Sequence, residues 1–217
     1  MNSTALLALF RSDMSDVQTP YLWSDSDVYG YADDAQLMFC RKTDSISDAT
    51  TSAVVNLSVA PATDWVTLHS AITRIRWAVR SDTGRAVEVI NQDDMPARRW
   101  YFDGTAGAIK ALVIGAEAHK ARVYPTSNET VTVKLAVFRL PLTSITAAGQ
   151  SFEIDAEHHR HLLLWMKHLA YMKQDAETFD RVKAEEFRDK ALDYFAQVKA
   201  EERRKNFKVR TVVYGGI

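Results

Sequence analysis

The sequence predicts an α+β protein with two N-terminal helices, a central β-rich region, two long C-terminal helices and an extended C-terminal tail. Apolar residues recur at helical spacing near both ends of the chain. Between about residues 50 and 141 the pattern changes to β-branched runs broken by turn residues. We therefore expect helices over 1–48, a β-rich region over 49–150, helices packing on the N-terminal pair over 151–205, and a tail over 206–217.

Two helices are predicted in the N-terminal part. Ser3 is the predicted N-cap of the first helix, which should end before Pro20 because the proline ring restricts the residue before it. Ser24, followed by two aspartates, predicts the start of the second helix. That helix then carries apolar residues at helical spacing: Val28, Ala32, Ala35 and Phe39.

The central region is predicted to form an antiparallel β-sandwich or a barrel-like sheet. Its clearest element is a hairpin with arms at Ala121–Tyr124 and Val131–Leu140, joined by turn residues. The alternation of Ile72–Val79 places Trp77 in the predicted core. Alternate residues of the second hairpin arm share one face: Val131, Val133, Leu135 and Val137.

Two apolar stripes predict the C-terminal helices. Asp175, followed by Glu177 and Thr178, is the predicted N-cap of the second helix, so the region should form two helices rather than one. The first stripe contains Leu162, Trp165, Leu169 and Met172, and the second contains Phe179, Val182, Leu192, Phe195 and Val198.

Composition excludes several classes of protein. The sequence has 27 Lys and Arg residues and 28 Asp and Glu residues, so its net charge does not favour binding to nucleic acid or to membranes. The single cysteine, Cys40, excludes an internal disulfide and is expected to be a small buried hydrophobe. The apolar run at residues 5–10 lacks a basic leader, and no apolar run is long enough for a membrane span. We expect neither a signal peptide nor a membrane protein.

No motif predicts catalysis. The sequence lacks Gly-x-Ser-x-Gly, and the glycine-containing stretch 104–110 lacks the Gly-Lys-Ser/Thr ending of a phosphate loop. His158 and His161 could share a helical face and bind a metal, but no carboxylate or thiolate stands four residues on. A polar helix start is therefore the preferred interpretation. We expect a protein that is not an enzyme and has no catalytic residues, cofactor or metal.

The C-terminal end concentrates basic and strand-forming residues. Residues 199–210 contain six basic against two acidic residues, a net charge of +4 in a nearly neutral protein. Such an arm is either a solvated helix end or a contact for an acidic partner or phosphates. Its candidate residues are Lys199, Arg203, Arg204 and Lys205.

The tail after this basic arm alternates as a strand does. A strand so late in the chain exposes unpaired backbone groups unless it adds to a sheet, which predicts a partner on another chain. The candidate docking residues are Phe207, Lys208, Val209, Arg210, Thr211, Val212, Val213 and Tyr214.

Several strings, in their order along the chain, resemble the head-to-tail adaptor (connector) proteins of tailed bacteriophages. They are Tyr21–Asp25, Arg122–Pro125 and Phe138–Pro141, followed by the pair His158–His159 and then by Leu162–Trp165 and Tyr171–Glu177. The resemblance implies a dodecameric ring under the portal protein that extends the channel for double-stranded DNA, without sequence readout. It also implies a platform for tail or nozzle proteins in the virion neck, assembled in the host cytoplasm, with residues 207–214 reaching the portal.

Three alternatives remain open from the sequence. Within the same structural class, the chain could be a tail tube, stopper or tail completion subunit. From another class it could be a carbohydrate-binding β module, which would require exposure of Trp65, Trp77 and Trp100. A third alternative is a metal-dependent hydrolase that uses the histidine cluster around His158.

Overall fold

The computed structural model describes residues 1–97, 106–175 and 177–205. None of the helices in these ranges is long and apolar enough to cross a membrane. The helices are α1 (Ser3–Asp13), α2 (Asp25–Thr43), α3 (Ser52–Val55), α4 (Leu162–Met172) and α5 (Arg181–Lys205). The strands are β1 (Ser47–Asp48), β2 (Asn56–Val59), β3 (Trp65–Thr67), β4 (Ile72–Arg80), β5 (Ala86–Asn91), β6 (Ala111–Ile114), β7 (Lys120–Tyr124) and β8 (Val131–Arg139).

These elements confirm the α+β prediction. They divide into two compact units. Residues 1–45 and the described residues after 142 form the helical unit, which contains α1, α2, α4 and α5. Residues 46–142 form the sheet unit, which contains α3 and the eight strands described. Short 3-10 helices cover Gln92–Ala97 in the sheet unit and Ala156–His161 in the helical unit.

The two N-terminal helices begin with different caps. The N-cap of α1 is Asn2, whose side-chain oxygen accepts from the Ala5 amide at 3.0 Å, so the predicted Ser3 cap is wrong by one residue. Ser3 is instead buried and donates its hydroxyl to the Ala147 carbonyl at 2.7 Å. The predicted start of α2 is confirmed, because Ser24 and Asp27 form a reciprocal capping box.

The core of the helical unit lies where α2 meets α4 and α5. The ring of Phe39 on α2 contacts that of Phe195 on α5 edge-to-face, with centroids 5.4 Å apart. Both side chains are fully buried, which excludes water from the centre of the unit. The other large side chains of this core are Leu6, Phe10, Trp23, Leu162, Leu163 and Met166.

The C-terminal part contains two helices, as predicted, but the second begins later than expected. Asp175 caps a turn, because its carbonyl accepts from the amides of Thr178 and Phe179. The start of α5 is fixed by Asp180, whose side chain accepts from the Lys183 amide at 3.0 Å. The Asp180 amide also donates to the Tyr171 carbonyl, and this contact ties the start of α5 to the end of α4. The predicted N-cap at Asp175 is therefore wrong by five residues.

The sheet has the strand order β1-β8-β4-β5-β6-β7-β3, with β2 also paired to β8. Every pair is antiparallel except β5 with β6, which is parallel. The predicted wholly antiparallel region is wrong at this one pair. Residues 92–110 separate the two strands, which is long enough for the crossover connection that a parallel pair needs.

The predicted hairpin is also wrong, although both of its strands exist. β7 pairs with β6 and β3, whereas β8 pairs with β4 on one side and with β1 and β2 on the other. Each strand therefore has both hydrogen-bonding edges occupied by other strands. The predicted buried face of β8 is confirmed, because all four of its alternating residues lie in the core: Val131, Val133, Leu135 and Val137.

The predicted burial of Trp77 is wrong. The pairing of β4 with β8 shifts register between Ile75 and Trp77, and such a bulge inverts the alternation of side chains that follow it. Trp77 is 48% exposed, and Ala78 takes the buried position beside it.

Candidate assembly surface

The basic arm lies at the C-terminal end of α5. Arg203, Arg204 and Lys205 are exposed in the last turn, and Lys199 is half-buried one turn earlier. Lys205 Nζ lies 2.7 Å from Glu202 Oε1, and this hydrogen bond raises the pKa of Lys205. The positive charges also complement the negative end of the helix dipole. The helix-end interpretation thus fits the geometry, and contact with an acidic partner stays a prediction.

The candidate docking segment, Phe207–Tyr214, lies outside the described residues. It follows the end of α5 directly in the sequence. Trp100 also lies outside the described residues, in the region between residues 97 and 106. The docking role of the segment therefore stays a prediction.

Six exposed apolar side chains lie in or beside the two connections of the helical unit, the one between α1 and α2 and the one between α4 and α5. Their side chains are between 42% and 77% exposed. Isolated exposed apolar residues are ordinary, but a group of them indicates an interaction site. We call this group the end patch: Val17, Tyr21, Leu22, Met172, Phe179 and Val182.

The two connections that carry the end patch meet at the same end of the helical unit. The indole N–H of Trp23, which follows the first connection, donates to the Ala170 carbonyl near the end of α4 at 3.2 Å. Lys173 Nζ in the second connection lies 2.9 Å from Asp27 in the first turn of α2. These contacts bring together side chains that are about 150 residues apart in the sequence.

A buried arginine fixes the first of these connections. Arg11 Nη1 donates to Asp16 Oδ2 at 2.6 Å, and Nη2 donates to the Trp23 carbonyl and to Asp25. The guanidinium also lies 3.6 Å from the centre of the Tyr21 ring, within cation–π range. Asp16 in turn accepts from the Leu22 amide at 2.9 Å. The Tyr21 ring and the backbone at Leu22 are thus held in place by contacts within the chain itself.

The sequence placed half of the end patch in the core. Met172, Phe179 and Val182 were predicted in buried stripes, and all three are exposed. The reason is the late start of α5, which leaves Phe179 outside the helix and turns Val182 to the surface. The stripe that α5 buries is Ala184, Ala191, Phe195 and Val198.

The histidine pair lies in the interior rather than at a solvated helix start. His158 Nδ1 shares a hydrogen bond with the Tyr194 hydroxyl at 2.8 Å, and His159 Nε2 donates to the Ile154 carbonyl at 2.9 Å. Burial lowers the pKa of His158, against the opposing effect of Glu157 and Asp155. The burial of Cys40, in contrast, agrees with its prediction.

The family model described as SU10 adaptor protein matches residues 1–213. The chain belongs to the SU10 adaptor protein family. This is a family of phage head–tail adaptors, so the resemblance derived from the sequence strings is confirmed. No curated protein matches the chain.

The family match covers nearly the whole chain. It includes the helical unit with its end patch, the whole sheet unit, and residues 207–213 of the candidate docking segment. Both the helices and the sheet therefore belong to the adaptor itself, and the sheet unit is not an unrelated module inserted into it.

Proposed function

We propose that this adaptor assembles into a ring under the portal protein, where it extends the DNA channel and provides the attachment platform for tail or nozzle proteins. The observation that carries the proposal is the family match over residues 1–213. By this proposal the ring is a dodecamer in the neck of the virion, assembled in the host cytoplasm.

Two kinds of contact are needed for such a ring. Identical subunits close a ring through heterologous contacts, in which two different surfaces of the same chain meet. The exposed end patch supplies one apolar surface of this kind. The second contact joins the ring to the portal, and we assign it to residues 207–214. The basic arm before this segment adds positive charge for an acidic surface of the portal.

Passage of DNA requires a channel that does not hold the duplex. Tight neutralisation of many phosphates would retard movement, since each basic contact adds to the electrostatic affinity. The adaptor has a formal net charge of −1, which fits transient contact better than strong binding. Double-stranded DNA is therefore expected to pass without sequence readout.

A co-sedimentation assay with the portal ring of the same virus tests the docking step. The 217-residue chain should sediment with the portal, whereas the variant lacking residues 207–217 should fold normally and stay in the supernatant. Circular dichroism of the variant provides the folding control. Normal docking of the truncated protein would disprove the role of the segment. Failure of the whole chain to bind would favour a tail tube, stopper or tail completion subunit.

Exposed tryptophans are the one observation that favours the carbohydrate-binding alternative. Trp65 on β3 is 37% exposed and Trp77 on β4 is 48% exposed. However, β3 and β4 are separated by β5, β6 and β7 in the sheet order, and neighbouring strands lie about 4.8 Å apart. The two rings thus lie on strands that are not neighbours and do not form one continuous aromatic platform of adjacent strands, and the adaptor proposal stands.

A further inference from the structure

Three potential metal ligands converge at the start of the 3-10 helix Ala156–His161. Asp155, Glu157 and His158 each place one ligand atom within 4.8 Å of the others. The two carboxylates are exposed to solvent, whereas the His158 side chain is only 8% exposed. His158 Nε2 lies 3.5 Å from Glu157 Oε1 and makes no hydrogen bond within residues 1–97, 106–175 and 177–205. A ring nitrogen of a mostly buried histidine thus lies beside two exposed carboxylates.

The orientation of the His158 ring is fixed by aromatic neighbours. Its Nδ1 is hydrogen-bonded to the Tyr194 hydroxyl at 2.8 Å, and its ring lies 4.9 Å from that of Phe39. Tyr194 is itself held by His161, whose ring stacks on it at 3.7 Å with an interplanar angle of 8°. Because both rings are held, Nε2 cannot turn away from the carboxylates without breaking these contacts.

The hydrogen bond to Tyr194 is compatible with metal binding at Nε2, because the tyrosine hydroxyl oxygen can accept from Nδ1–H. When Nδ1 carries the proton and donates it to the tyrosine oxygen, Nε2 of the neutral imidazole presents its lone pair to the carboxylates. A lone pair and two negative groups facing one another repel, and a cation between them removes the repulsion. A hydrogen-bonded second ring nitrogen is also the usual arrangement of histidines that bind metals.

We propose that Asp155, Glu157 and His158 form a binding site for a divalent transition-metal ion such as Zn²⁺. Water completes the coordination of this site, which lies partly open to solvent. The imidazole nitrogen favours Zn²⁺ and its transition-metal neighbours over Mg²⁺ and Ca²⁺, which prefer oxygen ligands alone. Tyr194 acts as a positioning residue that holds the His158 ring, accepts from Nδ1–H when Nε2 binds the ion, and does not itself touch the ion.

A bound ion has a structural consequence for the adaptor. It joins the segment 155–158 to α5, because Tyr194 on α5 holds the histidine ligand. The last turns of α5 lead to the candidate docking segment, so the ion would stiffen the helix from which that segment departs. This binding site does not depend on the ring proposal, because it is complete within one chain.

Isothermal titration calorimetry with ZnCl₂ at pH 7.5, on the chelator-treated whole chain, tests the proposal. We expect saturable binding of one ion, weakened at least about tenfold by Glu157→Gln or Asp155→Asn. Both carboxylates are exposed, so these variants should fold like the wild type. Asp34→Asn, which neutralises an exposed carboxylate on α2, is the matched control and should leave the affinity unchanged. MgCl₂ should give no saturable heat.

Tyr194→Phe separates positioning from ligation. Loss of a partner behind a metal ligand weakens binding by about 10–100-fold, so this variant should still bind Zn²⁺, but less tightly than the wild type.

Zn²⁺ should also raise the unfolding temperature of the wild type and not that of Glu157→Gln. Absence of saturable binding by the wild type would overturn the proposal. So would unchanged affinity in both carboxylate variants, which would indicate adventitious binding elsewhere, for example at the exposed His119.

Discussion

The two units of the adaptor are stabilised in different ways. The larger core cluster of the sheet unit consists of valine, leucine, isoleucine and alanine side chains, which come from α3, from all but the first strand and from the connections. A smaller cluster adds Met95 and Tyr124. Its buried polar side chains, Asp48, Arg80 and Ser127, lie on the short outer strand β1, at the end of β4 and in the connection after β7. The helical unit instead buries charged and polar groups among its helices, including Arg11, Asp16, Gln36, His158 and His159.

The stability of the sheet unit depends mainly on the local alternation of apolar residues, whereas that of the helical unit depends also on contacts between residues far apart in the sequence. In the sheet unit, alternation alone assigns most core positions. In the helical unit, the Gln36 side chain accepts from the Glu153 amide at 2.9 Å, and Asp33 accepts from the Ile145 amide at 2.8 Å. These partners are more than 100 residues apart, so the contacts of Gln36 and Asp33 form only after the two ends of the chain have met. Variants of matched residue types can measure this difference.

The largest effect is expected from Phe39→Ala in the core of the helical unit. Removing this fully buried ring should lower the free energy of unfolding by about 3–5 kcal/mol, because it leaves a cavity beside Phe195. Urea denaturation measures the change. The control is Phe179→Ala in the end patch, where the ring is half exposed and the cost should stay below about 1 kcal/mol. Equal effects would contradict the described core.

The buried arginine gives the next largest effect. Arg11→Ala should lower the free energy of unfolding by about 3 kcal/mol, because it leaves the carboxylate of Asp16 buried without its partner. Arg181→Ala removes an exposed ion pair with Glu185 and should leave the free energy of unfolding nearly unchanged. Thermal unfolding of the wild type and of the two variants measures both changes in stability. An unchanged free energy of unfolding in Arg11→Ala would show that the stability of the helical unit does not depend on its polar interior.

A buried carboxylate makes the stability of the sheet unit depend on pH. Burial alone would raise the pKa of Asp48, but the amides of Thr51 and Thr50 and the Arg139 side chain hold it well below its usual range. A carboxyl whose pKa is lower in the folded state stabilises the fold above its unfolded pKa of about 4, and the contribution is lost as pH falls through the folded value.

Asp48→Asn is therefore expected to destabilise the sheet unit at neutral pH. The loss at pH 7 should be about 2 kcal/mol, as for hydrogen bonds to a charged group. Below pH 4 the difference between variant and wild type should shrink steadily. Urea denaturation at pH 7 and at pH 3 measures both values. A difference that is the same at the two pH values would contradict the role of the charge.

The smallest effect on folding, and a large one on assembly, is expected at the end patch. Val182 is 77% exposed, so Val182→Asp should change the free energy of unfolding by less than about 0.5 kcal/mol. If the patch packs on a neighbouring subunit, the new charge should abolish ring formation on the portal. Val182→Thr preserves the size of the side chain and should assemble nearly as well. If Val182→Asp formed normal rings, the end patch would not be part of the interface between subunits.

Local signals predicted most of the fold. The serine and aspartate before α2 predicted its capping box, and alternation predicted the buried face of β8, because both depend on neighbours within a few residues. Strand partners were not predictable in this way. The connection after β7 has the residues of a hairpin turn, yet β8 pairs with β4 instead. The burial of Trp77 was predicted wrongly because the alternation of apolar and polar residues in the sequence does not show where a β-bulge occurs.

The candidate surfaces were predictable only in part. The basic arm was visible as a local excess of charge, and α5 does end in it. The end patch was not, because the exposure of Phe179 and Val182 depends on where α5 begins. That start is set by a contact between the Asp180 amide and the Tyr171 carbonyl. The meeting of the two connections through Trp23 and Ala170 likewise has no sequence signal.

Electron microscopy of the purified protein mixed with the portal ring of its own virus tests the adaptor account most directly. An additional ring beneath the portal, with a subunit count that the images give, is the predicted result. Well-folded protein that leaves the portal bare would contradict the account and place the chain farther down the tail.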